Sequence, residues 1–341
     1  MLGGKIIIKM NNLNTQTKKT LTICLLTFNS VDYLPYLFKS LVEQTFKDWN
    51  LLVLDNASVD NSVALVKEYY PPAKVITQKQ NLGFAKGHNL LINWSDSKYV
   101  LILNPDLVLA PDYLAKTIEF LENHPKVAST SGKLLYWDFP SLAQTKQIDS
   151  YGLKIDKYFR VTDWQQGEQD YELANQEVFG LSATALMIRR EALESIKFYK
   201  TEDTVEYFDE DFFAYKEDVD LALRLRLMGW QNYLLATTQA YHHRSLNKDT
   251  QRNQRGILNK LSYRNHLAVL YKNSGALKLG KFWWSILTYE IKKFFYFLIF
   301  ERKTLVGLKE FLSLKKKFKA KRKYIKKRAQ VKAEGLNHWF K

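Results

Sequence analysis

The sequence predicts an α/β fold, with a mostly parallel sheet flanked by helices and a helical, basic C-terminal extension. Two continuous apolar runs, Leu51–Leu54 and Tyr99–Leu103, have the pattern of parallel strands buried on both faces. Strand and helix patterns alternate from residue 21 to about residue 130, which favours right-handed parallel connections. Each apolar run leads into an acid, Asp55 and Asp106 respectively. Because ligands bind at the carboxyl ends of such strands, the two acids predict a site at that edge.

The individual elements follow from apolar periodicity and from the residues that start and stop helices. The predicted strands cover residues 21–28, 50–54, 75–76, 99–103 and 127–130. The predicted helices cover residues 34–44, 60–69, 84–93, 111–123 and 217–228. Between them, residues 133–176 lose this periodicity and are predicted to be irregular, with order resuming at 178–188. After about residue 256 the chain is predicted to be helical, aromatic and basic.

Length and composition divide the chain into three regions. A chain of 341 residues, 46% of them hydrophobic, can hold one α/β domain and an appendage, which excludes global disorder. We expect a flexible leader at 1–19, a main domain at 20–255 and an amphipathic, polybasic helical region at 256–341. The net charge of +16 is concentrated in residues 315–341, which hold 12 Lys/Arg and one Glu. The single cysteine, Cys24, excludes an internal disulfide and fits a reducing compartment.

A polar turn follows the first predicted strand, and an acid ends the second. Thr27 and Asn29 lie in that turn, and Asp55 begins the stretch Asp-Asn-Ala-Ser-Val-Asp. Two such loops can bracket a nucleoside, with the carboxylate accepting from a base imide or a ribose hydroxyl. The alternative is structural: Asp55 and Ser58 form a turn, and Asp60 caps the next helix.

A glycine-bearing segment opens the helix predicted at 84–93. Two glycines four residues apart at a helix start allow a diphosphate or a sugar to approach the backbone closely. The segment is neither a Walker loop nor a Rossmann fingerprint, and glycines that only shape a turn are the alternative. The ligand-binding candidates of this segment are Asn81, Gly83, Phe84, Gly87 and Asn89.

The segment Asn104-Pro105-Asp106 follows the strand at 99–103. Asp106 can supply an oxygen ligand to Mg²⁺ or Mn²⁺, cations that bind diphosphates, and Asn104 lies beside it. A histidine beyond the sheet, either His242 or His243, could complete such a metal site through an imidazole nitrogen. Asn-Pro-Asp is also an ordinary turn, and a histidine near a loop is often only a hydrogen-bonding residue.

Several acids cluster at the start of the helix predicted at 217–228. One of them, Asp218 or else Glu217, can project into the cleft as a general base that takes a proton from an acceptor hydroxyl. The alternative is capping, because the helix dipole alone stabilises acids at a helix N-terminus.

Together, these segments resemble the inverting family 2 glycosyltransferases, in particular their rhamnosyltransferase-like branch. The resemblance covers about residues 20–250 and rests on the order and spacing of its motifs: Thr27-Phe-Asn29, Asp55-Asn-x-Ser-x-Asp60, Asn81-x-Gly-Phe-x-x-Gly-x-Asn89, Leu103-Asn-Pro-Asp106 and Glu217-Asp218-x-Asp220. It implies a GT-A (Rossmann-like) fold, an Asp-x-Asp metal motif and a base in the Glu-Asp segment. The first Asp of the metal motif is Asn104 in this chain, which matches the Asn-Pro-Asp variant of the branch.

The resemblance implies transfer of a hexose with inversion. The sugar, rhamnose from dTDP-rhamnose, would move from a nucleoside diphosphate donor to a hydroxyl of a cell-surface glycan or a lipid-linked acceptor. Asp55 would bind the nucleoside, Asp106 the Mg²⁺ or Mn²⁺ ion, and Asp218 would be the base. Two alternatives stay open: a UDP-sugar donor, and an inactive membrane- or RNA-binding module of the same fold. A nucleotidylyltransferase is disfavoured, because it would need a Gly-rich basic loop after the first strand, where this chain has Thr27-Phe28-Asn29-Ser30. A processive synthase is disfavoured because it would need several membrane spans.

The C-terminal region predicts association with an anionic membrane surface. Residues 281–300 approach spanning length, but Glu290, Lys292 and Lys293 disfavour a span, since each costs roughly 2.5–3.5 kcal/mol at its centre. As a helix the segment is amphipathic, with Glu290 on its apolar side, and residues 315–328 add ten basic side chains. We expect a cytoplasmic protein held peripherally at the inner face of the cell membrane, with no nucleic acid partner. A solvated basic helix or a nucleic-acid arm is the alternative.

Overall fold

The computed structural model describes residues 18–201, 204–244, 248–277 and 279–340, so most of the predicted leader lies outside the described residues. The strands are β1 Leu21–Thr27, β2 Trp49–Asp55, β3 Lys74–Thr77, β4 Tyr99–Leu103, β5 Leu107–Leu109, β6 Val127–Asp138, β7 Ala143–Ser150, β8 Leu153–Ile155, β9 Val161–Asp163, β10 Gln176–Val178, β11 Ala185–Arg189, β12 Phe198–Tyr199, β13 Val205–Glu206 and β14 Gln231–His242. The helices are α1 Leu34–Val42, α2 Ser62–Tyr69, α3 Gly83–Trp94, α4 Tyr113–Asn123, α5 Arg190–Ile196, α6 Glu217–Leu227, α7 Lys248–Leu277, α8 Trp283–Phe300 and α9 Val306–Arg328.

The main sheet has the strand order β10-β14-β6-β11-β4-β1-β2-β3, with β5 paired to β14 and β7 to β6. Its half formed by β4, β1, β2 and β3 is parallel throughout, and β14 is parallel to β6. β11 lies antiparallel between β4 and β6. The predicted α/β class, with a mostly parallel sheet flanked by helices, is therefore confirmed.

Each face of the sheet carries an apolar core, because the central strands are buried on both sides. On one face Ile23 of β1 packs with Leu37 of α1 and neighbouring side chains. On the other face Cys24 packs with Leu91 of α3 and Leu193 of α5. Burial raises the pKa of the Cys24 thiol to about 12, so this group stays protonated and acts as a small apolar side chain.

Residues 133–176 contain more regular structure than the sequence predicts. β6 continues to Asp138 and pairs antiparallel with β7, while β8 and β9 form a separate two-stranded sheet. The first five residues of β7 are exposed or half-exposed, so no apolar pattern marks this strand. Long-range backbone pairing, which leaves little trace in a local pattern, creates it.

β14 is a second difference, because no strand was predicted there. It runs parallel to β6, and a register shift between Leu235 and Gln239 interrupts the two-residue alternation that would have revealed it. His242 is the last residue of this strand. The prediction that the candidate histidine lies beyond the sheet is therefore wrong for His242.

The C-terminal helices share an apolar core with the main domain. Leu223 of α6 belongs to the same buried cluster as Ala268 of α7 and Phe318 of α9. Charged groups reinforce this packing: Lys272 of α7 is fully buried and contacts Asp209 and Asp220. The helical region thus completes the surface of α6 that faces away from the sheet.

Helix α8 packs on α7 along one side and exposes the other. Glu290 lies 2.6 Å from the Nε2 atom of His266 and therefore faces the protein rather than disrupting an exposed apolar face. The outward side carries Trp284, Phe295 and Ile299, which are 74%, 54% and 63% exposed. In the described part of the chain, the helices are too short or too polar to span a bilayer.

Candidate active site

A cavity of about 910 Å³ lies at the carboxyl ends of β4 and β14, between the sheet and the start of α6. The loop after β4, the last residue of β14, the segment before β11, strand β9 and helix α7 all contribute to its walls. Six of the residues predicted from sequence line this cavity: Phe84, Asn104, Asp106, Glu217, Asp218 and His242. The fold thus brings together groups that lie as much as 158 residues apart in the chain.

Asp106 and His242 form one wall of the cavity. The Nε2 atom of His242 lies 3.4 Å from Oδ1 of Asp106, and its Nδ1 atom lies 2.8 Å from Oδ2 of Asp149. All three side chains are buried. Burial lowers the pKa of His242, but Asp106 and Asp149 together outweigh burial and raise it to about 9. Asp149 also fixes the ring orientation, so that Nε2 faces Asp106.

This arrangement fits a divalent cation. Asp106 offers a carboxylate oxygen, and His242 offers Nε2 once a cation displaces the proton from that atom. Asp149 supplies the carboxylate that commonly supports a metal-binding histidine through its other nitrogen. Within the residues the structure describes, no group of three or more His, Cys, Asp or Glu side chains converges as a metal site. Two protein ligands suit a cation that completes its coordination with diphosphate oxygens and water.

His243 faces a different environment from His242. Its ring centroid lies 5.5 Å from that of Tyr33 and 5.3 Å from that of Phe139, and its Nδ1 atom lies 3.2 Å from the carbonyl oxygen of Trp137. Only its backbone approaches the site, since its N–H donates to the Asp106 carbonyl. His242 therefore lines the cavity beside Asp106, whereas His243 is not among the lining residues.

Glu217 and Asp218 also line the cavity, at the first turn of α6. Oε2 of Glu217 is buried without a hydrogen-bond partner, and burial, with the neighbouring charge of Asp218, raises the pKa of Glu217 to about 8. Asp218 is half-buried, and its Oδ1 accepts a hydrogen bond from the Val219 backbone N–H at 2.7 Å. Burial raises the pKa of Asp218 to about 6, with Lys216 opposing the shift and Asp163 adding to it.

The loop before α6 has an unusual backbone. Phe213, Tyr215 and Lys216 have φ angles of 62°, 71° and 68°. Residues other than glycine rarely adopt this region of φ. Asn265 of α7 holds the loop, because its side-chain amide donates to the carbonyl oxygens of Ala214 and Tyr215 at 2.8 and 2.7 Å. No sequence motif pointed to this residue, which lies about fifty positions after the loop it holds.

The two glycines of the predicted binding segment make room for protein atoms. A Cβ on Gly83 would lie 2.6 Å from the carbonyl oxygen of Phe213, and one on Gly87 would lie 2.6 Å from Leu26. The N–H of Phe84 donates to the same Phe213 carbonyl. At both glycines the close approach is therefore to the chain itself, which differs from the predicted approach of a diphosphate or sugar.

Asn89 is buried outside the cavity and supports the segment that leads to the loop. Its side chain donates to the Phe208 carbonyl at 2.8 Å and accepts from the Tyr207 and Phe208 N–H groups. It also donates to the Glu210 carboxylate at 3.1 Å, so its contacts are with residues 207–210 and not with the cavity.

The predicted nucleoside-binding residues gather at the ends of β1 and β2. Thr27 Oγ1 donates to Oδ1 of Asp55 at 3.1 Å, and the Ser58 hydroxyl and N–H also donate to this carboxylate. The N–H of Asn29 donates to the Ser58 hydroxyl, which ties the two loops together. Asn81 accepts from the side chain of Asn56 at 2.8 Å and lies next to this pair of loops.

Sequence reasoning missed a charged network behind the His242 wall. Arg244 contacts Asp149 through Nε and donates from Nη2 to Asp163 at 2.8 Å. Arg244 and Asp163 both line the cavity, whereas Asp149 does not. Both acids fall in the stretch predicted to be irregular, and the available signal was the position of Arg244 directly after the two histidines.

Comparison with known proteins identifies the family. The family model described as glycosyl transferase family 2 matches residues 22–197. The N-acetylglucosaminyl-diphospho-decaprenol L-rhamnosyltransferase of Mycobacterium tuberculosis is 23% identical over 244 residues, which cover 66% of this chain and 76% of the relative.

Solved structures share the fold. TarS of S. aureus superposes with a TM-score of 0.51 at 17% identity over 74% of this chain, which spans 40% of that structure's chain. Its 1-349 fragment gives 0.55 at 15% identity, covering 94% of this chain and 91% of the fragment. The mannosyltransferase PcManGT of Pyrobaculum calidifontis, solved with GDP-Man and Mn²⁺, gives 0.51 at 16% identity, covering 87% and 74%. The predicted GT-A fold is thereby confirmed, and the chain belongs to glycosyl transferase family 2 and is a glycosyltransferase.

Proposed function

We propose that this glycosyltransferase transfers a sugar with inversion from a nucleoside diphosphate donor to a hydroxyl of a lipid-linked or cell-surface glycan. The observation that carries the proposal is that candidate metal ligands and candidate bases line the same cavity. Asp106 and His242 are the candidate ligands, and Glu217 and Asp218 are the candidate bases. A donor diphosphate needs a cation, and an acceptor hydroxyl needs a base, so this one cavity holds a group for each substrate.

Asp106 and His242 would hold a Mg²⁺ or Mn²⁺ ion. When bound, such an ion neutralises the charge that develops on the leaving diphosphate. PcManGT was solved with GDP-Man and Mn²⁺, and GalNAc-T7, with a TM-score of 0.57 at 10% identity, was solved with UDP, GalNAc and Mn²⁺. These complexes support a divalent cation in this chain without distinguishing Mg²⁺ from Mn²⁺.

Asp218 is the proposed base, with Glu217 as the fallback. The pKa of Asp218, about 6, leaves it ionised at neutral pH, whereas the pKa of Glu217, about 8, leaves that group mostly protonated. Asp218 takes the proton of the acceptor hydroxyl while its oxygen attacks the anomeric carbon. The bond from that carbon to the diphosphate oxygen breaks, and the diphosphate takes the electron pair. It leaves from the face opposite the attacking oxygen, which inverts the anomeric carbon.

The nucleoside is assigned to the loops after β1 and β2. Asp55 already accepts bonds from Thr27 and Ser58, which hold its carboxylate in one orientation. A carboxylate has about four acceptor positions, so it can take a further bond from a ribose hydroxyl or a base imide. Asn29, Asn81 and Asn104 are proposed as the remaining polar residues that contact the nucleotide-sugar donor.

The donor sugar is proposed to be rhamnose from dTDP-rhamnose. The family branch that the motifs resemble and the M. tuberculosis rhamnosyltransferase both support this choice. A UDP-sugar is the alternative, since GalNAc-T7 was solved with UDP.

Helix α8 and helix α9 are proposed to hold the enzyme at an anionic membrane surface on the cytoplasmic side. Trp284, Phe295 and Ile299 form an exposed apolar stripe on α8. α9 adds exposed lysines, although Lys317 and Lys321 instead pair with acids of the main domain. Each free lysine near an anionic leaflet contributes about 1 kcal/mol of attraction.

A panel of nucleotide sugars tests this function. The purified chain would be incubated with dTDP-rhamnose, UDP-sugars and GDP-mannose, each with Mn²⁺, Mg²⁺ or EDTA, and release of the nucleoside diphosphate would be measured. We expect turnover with dTDP-rhamnose that EDTA abolishes. Turnover confined to a UDP-sugar would mean that the donor is that UDP-sugar and not dTDP-rhamnose. No turnover with any donor and acceptor would favour the alternative of a catalytically inactive binding module.

A further inference from the structure

A second cavity, of about 270 Å³, lies beside the candidate active site. Its lining comes from the β8–β9 hairpin and consists of Lys154, Asp156, Lys157, Tyr158, Arg160 and Thr162. Thr162 also lines the larger cavity, so the two spaces share a wall. None of the residues assigned above to the donor, the metal or the base lines the smaller cavity.

The hairpin separates the two spaces. Its strands pair with Leu153 opposite Asp163 and Lys154 opposite Thr162. Leu153 and Asp163 line the larger cavity, while Lys154 and Thr162 are exposed and line the smaller one. A contact from the loop before α6 steadies the hairpin, because Lys216 Nζ donates to the Val161 carbonyl at 3.2 Å.

The smaller cavity is positively charged. Asp156 is its single acid, and this carboxylate shapes the turn by accepting from the Tyr158 and Arg160 N–H groups and from Arg160 Nε at 3.0 Å. Lys154 and Lys157 pair with no carboxylate in the ranges the structure describes. Two ammonium groups without counter-ions and a guanidinium on one concave surface suit an oxyanion with several oxygens, such as a phosphate or a diphosphate.

The hairpin also touches the helix that carries the exposed apolar stripe. The ring centroids of Tyr158 and Tyr289 of α8 lie 5.9 Å apart. The same helix exposes Trp284, Phe295 and Ile299. The basic cavity therefore adjoins the catalytic cavity through Thr162 and helix α8 through Tyr158.

We propose that the basic cavity binds the phosphate or diphosphate of a lipid-linked acceptor. Its sugar would enter the catalytic cavity, its phosphate would contact Lys154 and Lys157, and its lipid would lie against α8. The inference rests on the proposed function and narrows the acceptor to a glycan joined to a lipid through phosphate. A bilayer phospholipid headgroup carries the same oxyanion, so the test must distinguish binding of the acceptor phosphate from binding of a headgroup phosphate.

Direct binding of a simple probe tests this site. Undecyl diphosphate would be titrated against the full chain in EDTA, which removes divalent cations from the donor site, with undecanol as the uncharged comparison. We expect binding of undecyl diphosphate only, and a loss of affinity of at least about tenfold in Lys154→Gln/Lys157→Gln, because hydrogen bonds to charged groups contribute roughly 1.5–3 kcal/mol each. Lys74→Gln/Lys126→Gln removes two exposed lysines outside both cavities and should bind as the wild type does.

The source of the phosphate is separated with vesicles. The same variants would be mixed with phosphatidylglycerol vesicles, and the bound fraction would be measured by sedimentation. Weaker undecyl diphosphate binding with an unchanged bound fraction supports the acceptor site. Unchanged undecyl diphosphate binding overturns the proposal, and loss of vesicle binding alone would assign the cavity to a bilayer headgroup. The titration needs no turnover, so an enzyme that binds the probe but transfers no sugar contradicts only the proposed function.

Discussion

The side-chain amide of Asn265 donates to the carbonyl oxygen of Tyr215 at 2.7 Å, two residues before Glu217. Asn265 is fully buried on α7, outside the residues 22–197 that match the family model. Each residue held in a sparsely populated backbone region costs of order 1–3 kcal/mol, so the loop from Phe213 to Lys216 needs outside support. A C-terminal helix therefore fixes the backbone that presents the proposed base.

Asn265→Ala should reduce kcat with little change in the KM for the donor. The amide is lost, the loop can relax, and a shift of about 1 Å in the base can cost on the order of 10²-fold in rate. Steady-state kinetics with a thermal-unfolding check measure this. Asn93→Ala is the matched control, because Asn93 also donates to a backbone carbonyl, that of Val205, but away from the cavity. Wild-type kcat in Asn265→Ala would show that the loop holds its shape without the amide.

Asp218→Asn should lower transfer by about 10²–10⁴-fold, the usual contribution of a general base. Donor binding should be nearly unchanged, because the substitution removes a proton acceptor and keeps the shape of the side chain. Single-turnover kinetics and donor titration measure the two effects. Glu217→Gln is the matched control and should lose less activity. The reverse order of the two variants would move the base to Glu217.

His242→Gln should weaken Mn²⁺ binding, whereas His243→Gln should leave it close to wild type. His242 faces Asp106, while the ring of His243 packs against aromatic side chains. Asp149→Asn should weaken Mn²⁺ binding by about 10–100-fold, the usual effect of losing the partner of a metal-binding histidine. Mn²⁺ titration followed by electron paramagnetic resonance, with a nucleoside diphosphate present, measures all three. Equal effects at the two histidines would argue against this metal site.

Glu217→Gln should stabilise the protein at alkaline pH. The pKa of Glu217 is raised from 4.5 to about 8 on folding, so the wild type binds this proton more tightly when folded. The resulting stability is complete below about pH 4.5 and is lost as the pH rises through 8, by up to about 1.4 kcal/mol per pH unit. Chemical denaturation at pH 5, 7 and 9 should show a difference between variant and wild type that grows with pH. A constant difference would contradict the raised pKa.

Ile291→Glu/Phe295→Glu should release the protein from anionic vesicles without unfolding it. Both side chains are exposed on the outward side of α8. Val42→Glu/Leu142→Glu changes two exposed apolar residues elsewhere and is the control. Vesicle sedimentation at low and high salt measures binding, which should weaken with salt. Deletion of residues 281–341 is a poor test, because it removes the buried side chains of Ile286 and Phe318 from the core. Equal partitioning of both pairs would contradict a membrane role for α8.

Part of the fold and of the site could be predicted from the sequence because it depends on local patterns. The apolar runs at 51–54 and 99–103 are long enough to identify strands buried on both faces. The carboxyl ends of parallel strands meet at one edge, which places Asp55 and Asp106 there without further information. The acids at the start of α6 followed in the same way from the helix pattern.

Tertiary structure decided the choices that depend on contacts between distant segments. Neighbouring residues at the end of a strand point to opposite faces, so whether His242 or His243 faces Asp106 depends on the phase of β14. The register shift between Leu235 and Gln239 resets that phase, and it exists only because β14 pairs with β6. In the same way, Asn265 contacts the loop before α6 only because α7 packs on α6. The sequence alone determined which edge of the sheet carries the chemistry; long-range pairing and packing determined which side chains face it.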